Sequence, residues 1–324
     1  PIRKGEIMRF IETFREGNHI SDVYLCKTKQ IALTKNGKEY GSLVLQDKTG
    51  TVDAKIWELN SPGINEFCAL DYVYVDADVT LFQGQNQLNV KRIRKADEGE
   101  YHPADYLPVT TKDIPTMQHE LTQYITTIKN EYLRKLASGY FNDPEFMKAF
   151  SFHSAAKSVH HGFVGGLLEH TLSVVKMCEY MVGAYPILNR DLLYTAAMCH
   201  DIGKVKELSA FPKNDYTDEG QLLGHIVIGV EMVNDAIREI PDFPEKLANE
   251  LKHCIISHHG ELEYGSPKKP ALPEAFALNF ADCADAKMET LTEIFKDSKN
   301  MKDKEWTGYN RLFETNLRKS SLEK

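Results

Sequence analysis

Apolar and polar residues alternate one by one along the first third of the chain, then switch to spacings of three and four. In residues 51–57, Val52, Ala54 and Ile56 interleave with Thr51, Asp53 and Lys55, the period-two signature of a strand with one buried face. Asn36-Gly37, Asp47-Lys48-Thr49-Gly50 and Gly84-Gln85-Asn86 punctuate such runs and predict five strands, near 21–33, 39–46, 51–58, 71–82 and 87–94. Five short strands joined by tight turns suit a small closed barrel better than a sheet with exposed edges. An OB-like β-barrel over residues 1–97 is therefore expected, with 1–20 unassigned.

Residues 98–116 lose the periodicity and carry Pro103, Pro108 and Pro115, as an interdomain connection would. Beyond them Leu121, Ile125, Ile128, Leu133 and Leu136 recur at helical spacing. Helices are predicted near 117–138, 143–151, 166–184, 189–202, 222–239, 243–257 and 273–296. The expected fold class is multidomain α+β: the barrel, an all-α domain over 117–315 and a polar tail over 316–324.

Composition narrows the function. A chain of 324 residues, 42% hydrophobic and 27% charged, suits two globular domains. No apolar run approaches the roughly 18 residues needed to cross a bilayer, and the opening PIRKGEIMRF has no apolar signal-like core. No membrane partner is expected, and a cytoplasmic location is. Six cysteines at 26, 68, 178, 199, 254 and 283 form no CxxC pair, so they read as small buried hydrophobes. Lys+Arg 39 against Asp+Glu 47 gives a net charge of −8, which argues against a uniformly basic surface but leaves room for a local groove. The informative count is histidine: nine of twelve fall at 153, 160, 161, 170, 200, 225, 253, 258 and 259.

Residues 190–204 read as an apolar helix ending in His200-Asp201, with Gly203 placed to end it in a left-handed conformation. An imidazole nitrogen beside a carboxylate that can bridge two cations seeds a one-metal or two-metal centre; alone, the pair reads first as a polar helix end. His170 in GLLEHT, His225 in LLGHI, His258-His259 in ISHHG and Asp282 in NFADCADAKM extend it to the order H, HD, H, HH, D. Apolar neighbours surround each, so isolated histidines would need separate hydrogen-bond partners, whereas a shared metal satisfies them together. Nitrogen and oxygen donors without thiolate are compatible with manganese, iron, cobalt or zinc.

That order resembles the HD-domain metal-dependent phosphohydrolase superfamily, in its dinuclear branch. HHGFVGGLLEHT at 160–171, DLLYTAAMCHDIGKVKELS at 191–209, LLGHI at 222–226, SHHGELEYGSPKKP at 257–270 and ADCADAKM at 281–288, behind an OB-like barrel, resemble the YhaM family of 3'-to-5' exoribonucleases. The resemblance implies that His170, His200, Asp201 and Asp282 hold one ion, with Asp201 bridging to a second held by His225 and His258. The expected cofactor is thus two divalent ions per chain, manganese favoured. His259 is compatible with ligating the second ion, binding a phosphate oxygen or positioning its neighbour. His161 fits a phosphate-facing role, while a helix start or a supporting role behind the ligands is open to both it and His160. Lys204 is a candidate phosphate ligand, the alternative being a solvated lysine at a helix end.

The implied activity is hydrolysis of single-stranded RNA, and of DNA as a second substrate, from the 3' end by metal-activated water without a covalent intermediate. Tyr40, Trp57, Tyr72, Tyr74 and Phe82 are candidate stacking platforms, and Lys91, Arg92, Arg94 and Lys95 a candidate basic track. Cross-strand packing and a solvated edge are the plainer readings of these two groups. Tyr264, Lys268 and Lys269 lie on the Gly/Pro loop 260–270, which reads as a gate or a subunit contact. A homo-oligomer is expected. The alternatives are an HD-type phosphodiesterase or phosphohydrolase acting on small, including cyclic, nucleotides, weakened in its cyclic dinucleotide form by the lack of GYP after HDIGK, and a single-strand binding module with a non-catalytic metal site.

Overall fold

The alternation in the first third becomes a closed barrel. The computed structural model describes residues 8–156, 162–297, 305–318 and 320–321. Strands β1 (His19–Leu33), β2 (Glu39–Asp47), β3 (Gly50–Ile56), β4 (Tyr72–Phe82) and β5 (Gln85–Lys95) pair in the order β1-β2-β3-β5-β4, and β4 closes onto β1. All pairings are antiparallel except β3 with β5, where Ala54 faces Leu88. This is the Greek-key connectivity of an OB barrel. Leu43, Leu45, Val52, Ala54, Ile56, Val73, Val75, Ala77, Val79 and Leu88 point inward, one residue in two. A bulge where Asp76 faces Arg92 but Ala77 faces Val90 resets the inward register of β5 from Val90 to Ile93.

Segments to either side of the strands belong to the barrel. Ile11 and Phe14 fill its core, and the buried Asp47 carboxylate accepts from the amides of Ile11 at 2.6 Å and Thr49 at 2.7 Å. Residues 98–109, which read as part of a linker, also pack on it. Tyr101 stacks on Tyr72 at 3.8 Å, Tyr106 and Leu107 are buried, and Arg94 clasps Glu100 through two bonds of 2.7 Å. The prolines erase the periodicity without freeing the chain, because aromatic burial needs no repeat. The first unit runs to Val109 and the second starts at Thr110.

The second unit is helical: α1 (Ile114–Thr126), α2 (Glu131–Phe141), α3 (Pro144–Phe152), α4 (Gly166–Ala184), α5 (Arg190–Cys199), α6 (Lys204–Glu207), α7 (Asp218–Arg238), α8 (Glu245–Ile256) and α9 (Pro273–Asp297). Asp113, Asn130, Asp143, Asn189 and Thr217 cap helix N-termini with their side chains. One helix was expected over 117–138, but Asn130 caps Tyr132 and Leu133 while Asp191, distant in sequence, accepts from the amides of Lys129 and Asn130. These acceptors satisfy a break that hydrophobic spacing does not register. The all-α expectation for 117–315 and the polar tail for 316–324 need correction. β6 (Trp306–Asn310) pairs antiparallel with β7 (Thr315–Arg318) in a ribbon too short to show a period.

The Arg94 clasp makes a pH-dependent prediction. Against the cost of burial, Arg94 and the Asp97 amide lower the Glu100 carboxyl from 4.5 to about 2. A depressed carboxyl stabilises the fold fully above its unfolded value and loses that contribution as pH falls through its folded value. Glu100→Gln should cost the barrel about 1 kcal/mol at pH 7. The gap from the parent protein should close between about pH 4.5 and 2 in urea unfolding followed by Trp57 emission in a Trp306→Phe background.

Candidate metal centre

The centre is assembled from helix ends and helix interiors inside an apolar core. α5 starts at the Asn189 cap and is buried through Leu192, Leu193, Ala196, Ala197, Met198 and Cys199, so its C-terminus delivers His200 and Asp201 where water does not reach. α4 brings His170, α7 brings His225, the end of α8 brings His258 and His259, and α9 brings Asp282.

Each histidine is anchored by Nδ1. His170 donates to Asp285 Oδ2 at 2.7 Å, His200 to the Ala197 carbonyl at 2.8 Å, and His225 to Glu207 Oε1 at 3.0 Å. His258 donates to the Ile255 carbonyl at 2.6 Å and His259 to that of Tyr264 at 2.8 Å. These acceptors favour a proton on Nδ1 and turn each Nε2 toward the centre.

Asp201 is the point of convergence. Its Oδ2 lies 3.3 Å from His200 Nε2 and 3.5 Å from His170 Nε2, while Oδ1 lies 3.4 Å from His225 Nε2 and 3.8 Å from His258 Nε2. Asp282 Oδ1 stands 3.1 Å from His170 Nε2. Two donor groups result: His170, His200 and Asp201, and His225, His258 and His259, each with donor atoms within 4.8 Å of one another. Asp201 Oδ1, His225 Nε2 and His258 Nε2 are buried without a hydrogen-bond partner among the described residues, the condition a cation would relieve. The donor set fits divalent ions in both groups, one carboxylate oxygen turned toward each.

Electrostatics follow the same plan. Burial opposes ionisation of Asp201, but Lys204 and His200 hold it well below the usual carboxylate range. Asp282 is likewise lowered against burial by its hydrogen bond to His170 and the charge of His200. Burial pulls His170 down, yet Asp282 and Asp285 push it up to about 9. Burial and the neighbouring His259 and His200 keep His258 neutral, well below the usual histidine range.

The expected residues fare differently. His170, His200, Asp201, His225, His258 and Asp282 come together, and His259 joins the second group. His160 and His161 lie outside the described residues. Lys204 is half-buried with Nζ 2.7 Å from Asp201 Oδ2, so here its charge answers the shared carboxylate, and it is not a solvated helix-end lysine. Gly203 is right-handed (φ −62°, ψ −21°), against expectation, and the chain continues into α6. Glycine is needed there for space: a Cβ would lie 2.1 Å from the His225 carbonyl oxygen. Glu207, Asp285 and Ser173, which bonds Asp285, were missed; the available signals were Asp285 one turn after Asp282 and Glu207 one turn after Lys204. His153 and His253 serve the fold, His153 between the Ala149 and Leu208 carbonyls and His253 accepting from the Ala271 amide.

The barrel's basic run is largely neutralised. Lys91 pairs with Asp78, Arg94 with Glu100 and Lys95 with Asp71, leaving Arg92 exposed without an ion pair among the described residues. Tyr72 is covered by Tyr101, and Tyr74 by Arg94. Trp57 is exposed beside Tyr40, and Phe82 is exposed at the β4–β5 turn, lining a cavity of about 570 Å³ with Val44, Thr51, Asp53, Gln85 and Gln87. Tyr264 and Lys268 are exposed on the loop after His259, and Lys269 pairs with Glu261.

Fold and donor set define an HD-type hydrolase domain that follows an OB barrel in the chain, and the HD domain family matches residues 167–287. Relatives extend the likeness beyond it. The 3'-5' exoribonuclease YhaM of Bacillus velezensis is 38% identical over 84% of this chain and 86% of its own length. Those of Geobacillus sp. and Bacillus pumilus are 36% and 35% identical, over 86% and 89% of this chain and 86% and 91% of theirs. The chain belongs to the YhaM family. Among solved structures, the second OB-fold domain of replication protein A from Methanococcus maripaludis is 20% identical and covers 29% of this chain and 98% of its own, with a TM-score of 0.22.

The Gly203 contact is testable. Gly203→Ala places its methyl against the backbone of His225 and, 2.7 Å away, the amide of Gly229, neither of which can swing aside. It should destabilise the helical unit by about 1–3 kcal/mol and reduce metal uptake, read by thermal unfolding and metal analysis of the same sample.

Proposed function

We propose that this protein is a metal-dependent 3'-to-5' exoribonuclease acting on single-stranded RNA, with single-stranded DNA as a second substrate. The observation that carries the reading is the Asp201 carboxylate, one oxygen facing His170 and His200 and the other facing His225 and His258. It stands in a chain whose relatives at 35–38% identity are named 3'-5' exoribonucleases. In our assignment His170, His200, Asp201 and Asp282 hold one ion, and His225, His258, His259 and Asp201 a second, with manganese the favoured element. Such ions would supply hydroxide near neutral pH by lowering the pKa of bound water toward about 7 and would neutralise phosphate oxygens.

The protein's own residues do the rest. The five Nδ1 anchors hold the imidazoles so that only Nε2 faces inward. Lys204 contributes a fixed positive charge at the shared carboxylate. A covalent route through Cys199, beside His200, is disfavoured, because burial pushes its thiol up to about 12. On the barrel, Trp57, Phe82 and Arg92 are accessible stacking and charged groups for a single strand; on the helical unit, Tyr264 and Lys268 are accessible too. Exposed Trp306 and Tyr309 on the β6–β7 ribbon and Phe276 and Phe280 on α9 support a homo-oligomer.

The test is a 5'-labelled single-stranded RNA incubated with the protein and manganese, resolved at nucleotide resolution. A ladder descending from the 3' end is expected, abolished by chelator and reduced more than about 100-fold by Asp201→Ala, a ligand change costing at least as much as loss of a ligand's outer partner. Intact RNA with hydrolysis of cyclic nucleotides would replace this reading with a small-molecule phosphodiesterase.

A further inference from the structure

We infer that Glu207 is the positioning residue of the second ion subsite, acting through a break built into α7 at Gly224. The inference rests on the two-ion reading of the site above.

α7 is interrupted at Gly224, whose backbone sits at φ 73°, ψ 157°, a region closed in practice to residues with a side chain. In an unbroken helix the His225 amide would bond the carbonyl four residues earlier. Here it donates to Glu207 Oε1 at 3.0 Å. The same oxygen takes the His225 Nδ1 proton, also at 3.0 Å. One carboxylate oxygen therefore fixes both the main chain and the ring of His225, leaving Nε2 3.4 Å from Asp201 Oδ1.

Glu207 is itself held by main-chain packing. Its carbonyl accepts from the Thr217 amide at 2.9 Å, and a Cβ on Gly220 would lie 2.1 Å from that carbonyl oxygen, so the first turn of α7 lies directly against it. A side chain at Gly224 would meet Glu207 Oε1 at an ordinary 3.9 Å, so glycine is required there for its backbone conformation rather than for space.

The two subsites are thus anchored independently. In the first, His170 is tied to Asp285 of α9, and the donors include the carboxylates of Asp201 and Asp282. In the second, the donors are His225, His258 and His259 around the remaining oxygen of Asp201, and its own carboxylate is Glu207, one bond outside the donors. Loss of Glu207 should loosen the second ion and spare the first; loss of Asp285 should do the reverse.

The full chain, stripped with chelator, would be titrated with manganese chloride by calorimetry, with the spin-coupled two-manganese signal followed by electron paramagnetic resonance. Two ions per chain are expected for the parent protein. Glu207→Gln keeps an acceptor oxygen but loses the charge, and should weaken the second ion about 10-fold; Glu207→Ala should weaken it about 100-fold and erase the coupled signal. Both should leave the first ion within about twofold, and Asp285→Asn should weaken the first ion preferentially. Two wild-type affinities in Glu207→Ala would overturn the assignment, as would equal loss of both ions in a Glu207→Gln protein with parental circular dichroism. A parent protein that binds one ion would overturn the two-ion reading and this inference with it, whether or not RNA is cleaved.

Discussion

A carboxylate removed from water must be compensated where it stands, and Asp201 is the group around which the helical unit is organised. An uncompensated buried charge costs several kcal/mol, so a fold that keeps one must surround it with partners of opposite sign or with lone pairs that a cation can join. Lys204 answers Oδ2, and four histidines from α4, α5, α7 and the end of α8 converge on the two oxygens. The helices are held in register by what they must bring to this one group, and their apolar faces pack around that requirement.

The way the histidines are held follows from helix geometry. The last carbonyls of a helix lack the full set of amides ahead of them, and His200 and His258 turn to such carbonyls, each bonding the one three residues earlier in its own chain. An imidazole at a helix C-terminus thereby acquires its orientation locally. His170 and His225 lie inside α4 and α7 rather than at a helix end, and they draw on carboxylates from elsewhere, Asp285 and Glu207. Position along the helix decides the kind of anchor.

This division also explains what could be read from sequence. The strands of the barrel and most helices announced themselves because burial on one face imposes a period, and the candidate ion ligands because His-Asp and His-His pairs stand out in apolar surroundings. Asp285 and Glu207 were hidden, since a carboxylate on a helix ordinarily faces water and only the partner ring reveals otherwise. Gly203 was misread for a related reason: a glycine after a helix suggests a left-handed turn, whereas here it admits the His225 carbonyl from α7, and close approach between distant segments leaves no local pattern. The basic run on β5 looked like a track for phosphates until Asp71, Asp78 and Glu100 were seen beside it. Charge in one dimension says little about net charge on a surface.

The clasp of residues 98–109 over the barrel bears on how the molecule can be divided. Severing the chain after the last strand would strip Tyr101 from Tyr72, remove the buried Tyr106 and Leu107, and leave Arg94 without Glu100. The natural seam falls between Val109 and Thr110, where the first unit is closed and the second begins. A piece cut at the end of the sheet would carry every strand of the barrel and still lack part of its wall, so an inactive or insoluble fragment of that kind would say nothing about whether the barrel can stand alone.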